Sequence, residues 1–234
     1  MGAIIKRELV AFFKNPIAYF IIAIYALLSA IFFTLFVVWQ NTSYLGEYFG
    51  FYLFFVDMIL VAVLSMRFFS EEKKNKTDQL LLTSPINLYS LVIGKFIGAM
   101  IVFIAATSVN LIYVLIIDTF GNLDYGALFS NIAGTLLIGC TLVSLGLFIS
   151  SLTESQIGAA AGTVGVLIFM FVIDFFAGFL PEFFAKLIAN LNIYTRYQDF
   201  TNGIISLPPV IYYLSMTVVF LFLTVRSIEK RRWS

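Results

Sequence analysis

The sequence predicts an all-α, polytopic membrane protein: six transmembrane helices, an amphipathic helix at the N-terminus and a short outer helical insert before the last span. Three observations predict it. Mean hydropathy over the chain is +1.00, with 61% hydrophobic against 12% charged residues, roughly half the charge of a soluble domain. The apolar residues gather into six runs, each close to the ~20 residues that a spanning helix needs. Lys and Arg fall almost entirely on one side of the topology those runs define.

In chain order, Met1–Asn15 comes first. Ile5, Leu9 and Phe12 or Phe13 share one side at helical spacing, with Lys6, Arg7, Glu8 and Lys14 among them. This suits a helix lying along the inner leaflet, which Asn15-Pro16 ends. The six runs follow: Ile17–Trp39, Phe51–Phe69, Phe96–Ile117, Leu128–Leu152, Ile157–Phe176 and Pro209–Arg226. They are continuous rather than alternating, so they read as helices and not as barrel strands. Between the fifth and sixth, residues 177–208 carry Phe179, Phe183, Phe184, Leu187, Ile188 and Leu191 at helical spacing. They predict the outer insert, with Tyr194, Tyr197 and Phe200 at headgroup level.

With the N-terminus inside, twelve of the fourteen Lys and Arg are inside: Lys6, Arg7, Lys14, Arg67, Lys73, Lys74, Lys76, Lys95, Arg226, Lys230, Arg231 and Arg232. Lys186 and Arg196 are outside. A wrong helix count would scramble this partition, so both termini are expected in the cytoplasm. One transmembrane domain, 1–234, accounts for the chain.

Composition also excludes functions. The net charge of +1 implies no nucleic-acid partner, and the absence of histidine removes the commonest general base and metal ligand. No catalytic residue and no metal site is expected. Cys140 is the single cysteine and makes no internal disulfide. The one Gly-Lys pair, Gly94-Lys95, lacks the preceding glycine and following Ser or Thr of a phosphate-cradling loop. This chain is therefore expected to hydrolyse no ATP. Asp57 and Asn110 lie inside apolar runs, where polar groups are costly and mark functional candidates. They are candidates for a translocation path, against the plainer reading of hydrogen bonds between helices. Gly158, Ala161, Gly162 and Gly165 form a small-residue stripe on the fifth run, read as close packing within the subunit ahead of a dimer contact. Thr153 and Ser155 are candidate caps for the fifth helix, and Glu154-Ser155-Gln156, at the inside turn between the fourth and fifth runs, is a candidate contact for a cytoplasmic partner.

The most informative segment is the inside loop 70–95. It begins with Ser70-Glu71-Glu72-Lys73-Lys74, continues through Lys76-Thr77-Asp78-Gln79 to Leu80-Leu81-Leu82-Thr83-Ser84-Pro85, and ends at Gly94-Lys95. Three consecutive leucines on the water side must pack on something. The loop resembles that between the second and third helices of ABC-2 type transporter permeases. That pattern runs as two acids, a basic stretch, Gly-Thr, an acid before three leucines, a small residue, Ser-Pro, and Gly-Lys. Glu71, Glu72, Thr77, Leu80, Leu81, Leu82, Ser84, Pro85, Gly94 and Lys95 match; Lys76 stands where the family usually has glycine, and Asp78-Gln79 replaces a residue and an acid. The opening Arg7-Glu8-Leu9 and Lys14-Asn15-Pro16 resemble the family's elbow helix. The compact length and the loop are most like the gliding-motility-associated permease group.

The resemblance implies a non-catalytic permease subunit in a bacterial cytoplasmic membrane, moving a substrate outward. A separate cytoplasmic ATPase dimer would bind ATP and Mg, and this chain no cofactor. Glu71, Glu72, Thr77, Asp78, Leu80, Leu81, Leu82, Ser84 and Pro85 would form the coupling helix seated on that ATPase. A second permease half, identical or a different subunit with a large outer domain, would complete the pore within membrane lipid. The alternatives are a force-transmitting scaffold of a surface machine and a self-contained secondary carrier.

Overall fold

A computed structural model describes residues 2–39, 46–77, 87–120, 123–177, 181 and 192–232. Among them there are helices and no strands. In hydrocarbon every backbone N–H and C=O must be satisfied within the segment, and only a helix does this for a single run.

Helix α1 (Gly2–Phe13) precedes α2 (Pro16–Phe33), which runs on into a π-helical turn, Thr34–Val38. Pro16 opens α2 at the position where a missing N–H costs nothing. A second π-helical turn, Tyr48–Tyr52, leads into α3 (Leu53–Ser65), and a short break separates α3 from α4 (Phe69–Lys74). Helices α5 (Leu88–Thr107) and α6 (Asn110–Phe120) follow, then α7 (Tyr125–Leu152), α8 (Gln156–Ala177), α9 (Ile193–Thr201) and α10 (Leu207–Arg232).

Six stretches are long and apolar enough to cross a membrane: Ala18–Val38, Tyr48–Lys74, Leu88–Phe120, Tyr125–Leu152, Gln156–Ile173 and Leu207–Arg231. They coincide with the six predicted runs. An even number of crossings puts both chain ends at one face of the bundle, called the terminal face below. Span three begins at Leu88, well before the expected Phe96, because the Asn87 side chain accepts the Tyr89 N–H and caps the helix there. The two ends of the 70–95 segment are thus helical, as α4 and the first turns of α5.

Burial sorts the spans. The apolar windows of spans two and four are 67% buried, against 28%, 22% and 28% for spans one, five and six. Spans two and four form the centre, and the others present apolar flanks outward, as a lipid-facing rim requires. Span three is broken at Ser108-Val109. Leu111 and Ile112 donate there to carbonyls three residues back, and the Thr107 and Ser108 hydroxyls donate to carbonyls of the preceding turn, which keeps the bend satisfied. The Asp124 carboxylate caps α7 by accepting from Gly126 and Ala127.

The outer insert contains α9, capped by Asn192, which accepts from Tyr194 and Thr195. Residues 178–180 and 182–191, with the helical spacing from Phe179 to Leu191, lie outside the described residues. Tyr197 and Phe200, expected at headgroup level, turn into the protein rather than outward: they are 1% and 0% exposed. They close onto α7 at Gly134, where a Cβ would lie 2.6 Å from Phe200 Cβ. Tyr197 shares a hydrogen bond with Thr135 and donates one to the Phe49 carbonyl. Both rings follow the buried face of α9 inward because the sequence offers them a glycine and a hydroxyl partner there. Tyr194 is half-buried in a ring cluster with Phe54 and Phe171.

Candidate functional site

Three segments far apart in sequence meet at the terminal face. Helix α1 crosses α5 at Gly94 and Gly98. A Cβ on Gly94 would lie 2.8 Å from Ile4 Cγ2, and one on Gly98 3.0 Å from Glu8 Cβ. This close approach brings Glu8 beside Lys95, whose side chain is 1% exposed. Lys95 Nζ donates to Glu72 Oε1 at 2.9 Å and to Glu8 Oε1 at 3.3 Å, and lies over the Phe69 ring. Arg7 Nη2 donates to the same two oxygens, at 2.7 Å to Glu8 and 3.4 Å to Glu72. Elbow, loop base and third span are thus tied through one charged knot. Burial raises the Glu8 carboxyl, but Lys95 and then Arg7 outweigh it and hold Glu8 below its ordinary value.

Beside the knot, Arg67 donates from Nε to Glu71 Oε2 and from Nη2 to the Ala11 carbonyl, both at 3.4 Å. Its guanidinium covers the Phe12 ring. The face of α1 that packs inward therefore carries Ile4, Glu8 and Phe12, with Leu9 and Phe13 partly buried against the core. Of the expected apolar side, Leu9, Phe12 and Phe13 pack against the core, Ile4 takes the place expected of Ile5, and a carboxylate is set among them.

The loop base is also bolted to span four. Ser150 Oγ accepts the backbone N–H groups of Phe69 and Ser70 at 3.0 Å each, satisfying the first turn of α4. Lys73 Nζ donates to the carbonyls of Ser151 and Thr153 at the C-terminal end of α7. Helix α4 ends in a Schellman motif: Lys76 N–H donates to Lys73 O, and Thr77 N–H to Glu72 O at 2.9 Å. That ending requires a left-handed residue, and Lys76 occupies it with φ 56°. Here the family pattern has glycine, and the backbone keeps the glycine conformation without it. Asp78, Leu80, Leu81, Leu82, Ser84 and Pro85 lie outside the described residues. Between spans four and five, Ser155 Oγ accepts the Gly158 N–H as a cap, and Glu154 pairs with Arg231 at 2.5 Å.

Asp57 and Asn110 are brought together through a third residue. Tyr25 donates to Asp57 Oδ1 at 3.0 Å, Asn110 Nδ2 donates to the Tyr25 oxygen at 2.9 Å, and Tyr48 donates to Asn110 Oδ1 at 3.1 Å. Asp57 is 1% exposed and Asn110 4%. The network fastens spans one, two and three just beyond the break in span three. In the small-residue stripe, Gly162 meets Ile149 of span four, whereas Ala161 and Gly165 are exposed.

Sequence reasoning did not anticipate Lys95, Arg67, Tyr25 or Ser150 as partners. Lys95 carried a signal, since a cation flanked by Leu91-Val92-Ile93 and the third apolar run needs a counter-charge. Tyr25 and Ser150 carried none, because hydroxyl residues are ordinary in membrane helices.

Residues 39–226 match a family model described as ABC-2 family transporter protein. No curated protein matches the chain. The matched residues run from the end of span one to the last span and include Glu72 and Lys95 of the knot and Glu71 beside it; α1 precedes them. Six apolar spans and a family match over more than half of the length lead to one conclusion: the chain belongs to the ABC-2 transporter family, as a multi-pass membrane permease of an ABC transporter.

Proposed function

We propose that this chain is one permease half of an exporter driven by a separate ATPase, with the terminal face in the cytoplasm of a bacterial cell. The observation that carries the proposal is the charged knot. Any displacement of the 71–87 segment pulls on Glu72, and Glu72 is held by Lys95 of span three and Arg7 of the elbow. A paired ATPase that binds ATP and Mg closes on hydrolysable nucleotide and pushes the coupling segment. Glu71, Glu72 and Thr77 form its rigid base, and Asp78, Leu80, Leu81, Leu82, Ser84 and Pro85 supply the contact with the ATPase. Apolar side chains give buried area at such an interface, and charges give orientation.

The second permease half is identical or a different subunit with a large outer domain, as in the gliding-motility-type group. Asp57 and Asn110 border the translocation path through their shared network. The enclosed carboxylate and the broken third span favour a second reading, a self-contained carrier, since such proteins place broken helices and ionisable groups at mid-membrane.

One experiment separates the two. In proteoliposomes with its co-purified ATPase, Leu81→Asp is expected to insert normally yet abolish ATP-dependent transport and release the ATPase. Full recruitment and transport in that variant would remove the coupling role. Transport by the purified chain alone, driven by an ion gradient, would establish the carrier.

A further inference from the structure

Two cavities lie on one seam along α3 and its junction with α4, one beside the charged knot and one between α2 and α3. At the terminal face, a cavity of about 210 Å³ is walled by α1 and the α3–α4 junction. Its charged lining is Arg7, Arg67 and Lys95 against Glu8, Glu71 and Glu72, three cations and three anions. Arg67 Nη1 and Glu72 Oε2 are buried with no hydrogen-bond partner among the described residues. Buried groups of this kind are ordinarily satisfied, so both have capacity left for a ligand. Further into the membrane, a second cavity of about 210 Å³ separates α2 from α3. It is almost purely apolar, and Phe20, Ile24, Ile59 and Val63 are among its walls.

The two are stacked. Val63 of the apolar groove precedes Arg67 of the charged cavity by one helical turn, about 6 Å of rise. Phe20 lies near the start of α2, which emerges from the end of α1. The charged cavity thus lies at the terminal end of α3, and the apolar groove about one turn deeper along the same helix.

We propose that this seam binds one zwitterionic phospholipid, its phosphate and ammonium in the charged cavity and one acyl chain in the groove. The lining is electrically balanced, so a simple anion meets three carboxylates and a simple cation meets three cationic groups. A neutral head carrying one charge of each sign meets neither penalty. Its phosphate oxygens accept from the Arg67 guanidinium, a geometry that favours phosphate. Its primary ammonium donates to Glu72, which a quaternary ammonium, lacking N–H, does not do. Phosphatidylethanolamine has this chemistry. Bound there, the lipid fills the space under the elbow and adds a contact between α1 and the loop base.

The test is lipid retention by the purified full-length chain, read by native mass spectrometry after incubation with vesicles of dioleoyl phosphatidylethanolamine, phosphatidylcholine or phosphatidylglycerol. The ethanolamine lipid is expected to be retained about tenfold over the other two, the worth of one charge-assisted hydrogen bond. Glu72→Gln is expected to erase that preference. Because Glu72 also belongs to the charged knot, a second variant, Ile59→Trp, fills the groove from a position that is 44% exposed. It is expected to lower retention of the ethanolamine lipid while leaving the thermal transition of the delipidated chain in place. Equal retention of the three lipids overturns the headgroup assignment, and unchanged retention in Ile59→Trp overturns the acyl groove. Displacement of the lipid by millimolar phosphoethanolamine would show the head cavity filling from solution, and would overturn the joined site.

Discussion

Lys76 holds a left-handed backbone conformation at the end of α4, although a Cβ in that region costs roughly 1–2 kcal/mol. The Schellman hydrogen bonds from Lys76 and Thr77 fix that conformation, so the strain is retained rather than relaxed. Lys76→Gly is therefore expected to stabilise the chain by about 1 kcal/mol, less the extra freedom glycine gains in the unfolded state. Thermal unfolding in detergent measures it, and a lower transition for the glycine variant would mean that the Lys76 side chain makes a contact worth more than the strain. The same residue marks where the loop departs from the family's Gly-Thr. Sequence flagged the substitution, but only the dihedral shows that the turn survives it.

At the scale of elements, the docking of α1 depends on Lys95. Removing one partner of a buried ion pair leaves the others uncompensated and costs about 3–5 kcal/mol. Lys95→Met leaves Glu8 and Glu72 with only the half-exposed Arg7 between them and is expected to loosen α1, with faster proteolysis before Pro16 and a clear loss of thermal stability. Lys95→Met combined with Glu8→Gln and Glu72→Gln is expected to recover much of the loss. Acid acts on the same contact. The Glu8 carboxyl is held below its ordinary value by Lys95 and Arg7 against the opposing effect of burial. A depressed carboxylate stabilises the folded state above its unfolded pKa, and that contribution is lost as pH falls through the folded value. The Glu8 contribution to elbow docking should thus be complete at neutral pH and be lost only below the ordinary glutamate range, in the same proteolysis assay. Release between pH 6 and 8 would assign the switch to another group.

At the scale of the molecule, six crossings place both termini at one face, and the charged side chains of α1, the loop base and the end of α10 gather there. Tags on the two ends are expected to react with an impermeant reagent only when the cytoplasmic side of inverted vesicles is presented. Labelling of one end from each side would break the six-span topology. The centre of the bundle is built on spans two and four, and its interior holds the Tyr25–Asp57–Asn110–Tyr48 network. Each hydrogen bond between membrane helices contributes only about 1 kcal/mol, so the network fixes relative position more than it adds stability. Spans one to three are thus locked together on the far side of the break in span three, and spans two and three again at the knot, together with the elbow. The break at Ser108-Val109 lies between the two fastenings.

What the sequence by itself determined was what a bilayer reads locally: the helical class, the number of spans and their approximate limits. A spanning run needs only its own composition and length, so no knowledge of neighbours is required. The family motif around Glu71 and Glu72 was legible for the same reason, being continuous in the chain. The tertiary structure alone decided which residues meet. Glu8, Glu72 and Lys95 belong to three segments, and their pairing depends on how closely Gly94 and Gly98 let α1 approach α5. Tyr197 and Phe200 pass for interfacial aromatics until Gly134 opens a place for them against α7. Periodicity reports which face of a helix is apolar; it carries no information about the helix that covers it, because that choice is made by shape and charge across distances the sequence does not encode locally.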